Sequence, residues 1–176
     1  MDTYALEDLT LFLVRDAAEP PMWLDRWAAG YPQVQITEVS AAQTIVQWQQ
    51  QIAAAFQAVK GRHIAVVAHG SGVAAWLAWL YQADMLTQKR LCNMILVSPK
   101  PETFYQDEVH TLQRVRCPCR TALVIGNSGD CDRQWAQQHA DLWRARLLVS
   151  PHAGRLDGTL GGWQWGMKLM QEMLLA

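Results

Sequence analysis

Residues Val66-Val67-Ala68-His69-Gly70-Ser71-Gly72-Val73 run from an apolar, β-rich stretch through two glycines into a helical pattern. A strand that becomes a helix within so few residues leaves a narrow choice of fold. The stretch Ile64–Ala68 is apolar without alternation, as in a strand covered on both faces. Helices must then flank the sheet that holds it. The same alternation recurs along the chain. Strands are expected at Leu9–Val14, Val34–Val39, Ile64–Ala68, Met94–Val97, Leu123–Ile125 and Arg146–Val149. Helices are expected at Pro21–Ala29, Ala41–Val59, Ser71–Thr87, Arg133–Trp143 and Gly162–Leu175. Strand-then-helix order implies right-handed crossovers, hence a three-layer α/β sandwich around a mainly parallel sheet. Ligand sites in such sheets lie at the carboxyl ends of the strands. The loops after Val14, Ala68, Val97, Ile125 and Val149 are therefore the ones to inspect.

The 176 residues make one domain, 1–176, with no repeat or linker. A net charge of −1 and the lack of a basic cluster argue against nucleic acid as a partner. No apolar run is long enough to span a membrane. Residues 1–10 carry acids where a secretory signal would carry a basic start, so a cytoplasmic protein is expected. Cys92, Cys117, Cys119 and Cys131 are read as reduced thiols, because Cys117-Pro118-Cys119 has no second ligand pair at metal spacing. No metal and no cofactor are expected. The nine tryptophans are read mainly as core anchors.

The turn at Gly70 has the form of a nucleophile elbow, in which small residues must stand two positions to either side of the apex. With Ser71 at the apex those positions would be His69 and Val73, both bulky. With Gly70 there they are Ala68 and Gly72, both small. The spacing puts Gly70 at the apex, where glycine adopts a strained backbone conformation without a Cβ penalty.

These residues resemble the elbow Gly-His-Ser-x-Gly of the small α/β-hydrolase family that includes YdeN-type hydrolases and retinoblastoma-binding protein nine. The family's serine falls on Gly70 and its following glycine on Gly72. Trp23, Trp27, Trp48 and Val97-Ser98-Pro99 also match its pattern. Asn127-Ser128-Gly129-Asp130 resembles the turn that supplies its catalytic acid, one residue short, with Asp132 as the other choice. The stretch Ala153–Gly166 resembles its closing Gly-His…Gly-x-Gly-x-Trp motif. The resemblance implies a flavodoxin-like α/β-hydrolase fold. It also places the family's histidine on Arg155, a guanidinium that cannot serve as a base. Asp16, after the first strand, would oppose negative charge developing in an oxyanion hole.

Of the family's triad positions Gly70, Asp130 and Arg155, only the acid keeps its chemistry. The expectation is a non-catalytic hydrolase-fold protein that binds a small anionic molecule or a protein partner. Gly70, Ser71, Gly72 and Arg155 are the ligand-binding candidates, since the start of a helix favours an anion. Arg155 and Asp130 are also expected to form an ion pair in place of the histidine contact. The alternative is an active serine hydrolase using Ser71, Asp130 and His152. A third surface, carrying Trp163, Trp165, Met167, Met170 and Met173, is read as core before it is read as an interface.

Overall fold

The computed structural model describes residues 8–105 and 110–175. Residues 1–7, part of the segment read for a secretory signal, lie outside it. Six parallel strands form one sheet: β1 (Leu9–Asp16), β2 (Val34–Val39), β3 (His63–His69), β4 (Leu91–Val97), β5 (Arg120–Ile125) and β6 (Arg146–Val149). Their spatial order is β2-β1-β3-β4-β5-β6. The helices are α1 (Trp23–Gly30), α2 (Ile45–Gln57), α3 (Ser71–Gln82), α4 (Met85–Gln88), α5 (Arg133–Trp143) and α6 (Gln164–Leu175). This is the expected flavodoxin-like sandwich. The chain leaves β1 for β2 on one side and returns to β3 on the other, so the crevice between the carboxyl ends of β1 and β3 is its switch point.

The apolar runs of β1, β3, β4 and β5 serve two cores, because alternate side chains point to opposite faces. On one face Phe12, Val66, Leu96 and Leu123 pack with Trp48, Ile52 and Phe56 of α2, with α3, and with Trp143 of α5. On the other, Leu11, Leu13, Val67 and Val124 pack with Trp23 and Trp27 of α1 and with Met170 and Leu174 of α6. Seven of the tryptophans are buried, and Trp135 and Trp165 are partly so. Trp163 and Met170 are buried too, with Trp165, Met167 and Met173 packed beside them, so that set is mostly core.

Several boundaries differ from the expected ones for local reasons. The helix expected over 41–59 begins at Ile45, because Thr44 caps it by accepting the Gln47 amide. The helix expected over 71–87 stops at Gln82, where Ala83 turns extended, and Asp84 caps the short α4. Helix α1 starts at Trp23, two residues past Pro21, with Asp25 reaching back to the Met22 amide. Strand β5 begins at Arg120 and β4 at Leu91. Among the described residues no helix is long and apolar enough to cross a membrane. All four cysteines are free thiols.

Candidate functional site

Strand β3 ends at His69, and α3 begins two residues later at Ser71. Gly70 makes the turn between them with φ 60° and ψ −127°, a conformation costly for any residue with a side chain. The helix then runs close against β1. A Cβ on Gly72 would collide with the Val14 carbonyl oxygen. A side chain at position 70 meets a different neighbour: its Cβ would stand 2.7 Å from Asp16 Oδ2 and 3.2 Å from Asp16 Cβ.

Asp16 is the last residue of β1 and is 1% exposed. Its Oδ2 accepts the Ser71 amide at 2.9 Å and pairs with Lys100 Nζ at 2.7 Å, while Oδ1 accepts the Ala18 amide at 2.9 Å. In an elbow, the amide just after the apex is one of the two oxyanion donors. Here that donor already holds a carboxylate. Burial alone would push the Asp16 carboxyl upward. The Lys100 ammonium, the Ser71 and Ala18 amides and the neighbouring Ser71 hydroxyl outweigh it and bring the pKa down to about 2. The loop carrying Asp16 is pinned by Arg15, whose guanidinium binds Asp25 at 3.1 Å, Glu38 at 3.2 Å and the Glu19 carbonyl at 2.7 Å.

Asp130 lies after β5. Its Oδ2 accepts the Ser98 hydroxyl at 2.7 Å and the Gly126 amide at 2.9 Å. Ser98 is fully buried with φ 46°, and its hydroxyl also accepts the Leu156 amide at 3.1 Å. Asp132 does something else, capping α5 through the Trp135 amide. The expected Asp130–Arg155 ion pair is not formed. Arg155 donates to the Ser98 carbonyl at 2.9 Å and faces Glu19 across 3.9 Å. Ser98 takes the contact that the arginine was expected to make, and a serine is short enough to do so inside the core.

Ser71 and His152 are not brought together. The Ser71 hydroxyl is buried without a properly formed hydrogen bond, beside Asp16. His152 Nδ1 is bonded to Ser150 Oγ at 2.9 Å. His69 is fully buried, donates from Nε2 to the Leu156 carbonyl at 2.9 Å, and lies edge-on to Trp23. Burial, with the Arg155 charge, lowers its pKa to about 4, so it is a neutral structural group. Cys131 is driven the other way, to about 12, chiefly by burial, and is no thiolate nucleophile at neutral pH. Among the described residues no group of His, Cys, Asp and Glu is arranged to hold a metal.

Trp23 and Trp27 donate from their indole nitrogens to the carbonyls of Leu156 and Gly162, each at 3.0 Å, and both pack against Trp163. Helix α1 thereby fixes the loop that carries Arg155. The sequence singled out these tryptophans, but not their task. Lys100 and Glu19 escaped notice. The only clue to Lys100 was its place just after β4, in one of the strand-end loops.

A parallel sheet of this order, with a strand–glycine turn–helix at its switch point, has the architecture of the α/β-hydrolase class. Within it the chain belongs to the serine hydrolase family, whose profile matches residues 16–172. Among solved structures, a YdeN-like hydrolase from Pectobacterium atrosepticum is similar with a TM-score of 0.79 at 20% identity, covering 98% of this chain and 94% of that one. A naproxen esterase from Bacillus subtilis gives 0.61 at 10% identity, covering 93% and 82%. A proline iminopeptidase-related protein from Thermus thermophilus gives 0.61 at 12%, covering 96% and 91%. At these identities the likeness concerns the fold. A search of curated sequences found no match.

Proposed function

We propose that this chain is a non-hydrolytic member of the serine hydrolase family and acts by binding. One observation carries the reading: the Asp16 carboxylate holds the oxyanion donor of Ser71 and fills the space beside Gly70 where a nucleophile would project. Hydrolysis at an elbow needs a nucleophile, a base and donors free to receive negative charge. Position 70 offers no hydroxyl, position 155 offers no base, and the donor is already occupied by an anion of the protein's own. The rearranged alternative lacks support as well, because the Ser71 hydroxyl is buried with no properly formed hydrogen bond and His152, its proposed base, is bonded to Ser150 instead.

The same geometry bears on what is bound. A small anion at the start of α3 would have to displace Asp16 from Ser71 and Lys100, and Arg155 is engaged elsewhere. A partner meeting the outside of the molecule faces no such competition, so a protein or ligand bound away from the elbow is the favoured reading. The four free thiols support a reducing, cytoplasmic setting. A fluorophosphonate probe offered to the folded protein and to Ser71→Ala tests the proposal. Neither should be labelled. Labelling of the wild type that vanishes in the variant would overturn it.

A further inference from the structure

A groove of about 490 Å³ opens at the far end of the sheet from Gly70, lined by Arg120, Ala122, Arg146, Leu148, Leu169 and Met173, with Glu172 also on its wall. It exists because α6 packs chiefly over β4 and leaves the β5–β6 end of that face partly open. Ala122 stands opposite Arg146 in the register, and Arg120 lies two residues earlier on β5. All three therefore project to the same face of the sheet. Leu148 follows on that face of β6, and Leu169 and Met173 come from α6.

Both arginines are exposed, and among the described residues neither guanidinium forms an ion pair or a side-chain hydrogen bond. Glu172, on the same wall, is paired with neither. Two like charges on neighbouring strands repel, and an anion between them relieves that repulsion while accepting charge-assisted hydrogen bonds. Beyond them the floor is apolar, ending on the flexible side chain of Met173, which adapts to irregular shapes. The size lies within the roughly 300–1,000 Å³ range of small-molecule sites.

We propose that this groove binds a single-chain amphiphile with an anionic head, the head between Arg120 and Arg146 and the chain along Leu148, Leu169 and Met173. The inference is independent of whether the elbow turns over a substrate. It is tested by titrating the full chain with decanoate and with decyl phosphate below their aggregation limits. Calorimetry and the labelled methionine methyl signals report binding. Saturable one-to-one binding with a shift at the Met173 methyl is expected. The two heads distinguish a carboxylate site from a phosphate site, and either result supports an anionic head. Affinity should fall at least about tenfold in Arg120→Gln/Arg146→Gln, and further as salt rises. Both changes are at exposed positions and leave the cores intact, which an unchanged melting temperature would verify. Equal binding of decyltrimethylammonium, unchanged affinity in the double variant, or no shift at Met173 would each overturn the proposal.

Discussion

Asp16 and Gly70 depend on each other. The carboxylate can approach the Ser71 amide only because position 70 has no side chain, and a Cβ there would press on Asp16 Oδ2 at 2.7 Å. Gly70→Ser should therefore destabilise the fold by about 1–3 kcal/mol, from crowding and from a positive φ imposed on a residue with a side chain. Chemical denaturation should show Asp16→Gly recovering part of that loss in the double variant, and additive single effects would contradict the coupling. Asp16→Ala isolates the other half of the arrangement. It leaves the Ser71 amide and the Lys100 ammonium facing an emptied position, so inorganic phosphate should bind the variant and shift the Ser71 amide resonance. The wild type should show no such shift.

At the scale of elements, the elbow is a contact between α3 and β1 as much as a turn. Gly72→Ala would drive a methyl group into the Val14 carbonyl and lever the helix off the strand. A loss of more than about 2 kcal/mol is expected in urea unfolding, since the backbone can yield only by moving the whole element. The sequence carried this part of the site legibly: only small residues at 68 and 72 suit a tight strand-to-helix turn, and that fixed which residue makes it. The strands and most helices were legible for the same reason, as apolar runs and periodicities are local properties. Interactions between distant loops were not. Asp16 could be seen as a charge ill-placed for an oxyanion hole, but its hold on Ser71 and Lys100 depends on three strand ends meeting at the switch point. Likewise, nothing local to Arg155 says that Ser98 will reach Asp130 first, since that outcome turns on the bent backbone of Ser98 at φ 46°.

For the whole molecule, the two perturbed groups at this crevice contribute to the acid stability, together with the half-buried His139, whose pKa burial also lowers. His69 has a folded pKa of about 4 against an ordinary 6.5, so the unfolded chain takes up its proton first. Stability present above pH 6.5 is lost as pH falls toward 4, by about 3 kcal/mol from this group. Asp16 acts in the next window. Its stabilisation is complete above its ordinary pKa of 3.8 and disappears as pH falls through about 2, a change of about 2 kcal/mol. Melting temperatures recorded from pH 7 to pH 2 should decline through both windows. His69→Gln should flatten the upper decline and Asp16→Asn the lower, whatever either does to stability at neutral pH. A lower limb unchanged in Asp16→Asn would show that the carboxylate is not held as described.

The contact between Asp16 and Ser71 also bears on descent. On the proposed reading, a mutation to serine at position 70 would arrive against an occupied space, beside a donor already taken, with an arginine at the position that resembles the family's histidine. Removing Asp16 alone yields an open pocket with no nucleophile. Each single step back is therefore neutral or harmful by itself. Under the non-hydrolytic reading proposed above, a lineage that passed through this arrangement meets a ratchet: hydrolysis at the elbow would require changes at positions 16, 70 and 155 together, and selection has no partial reward with which to assemble them.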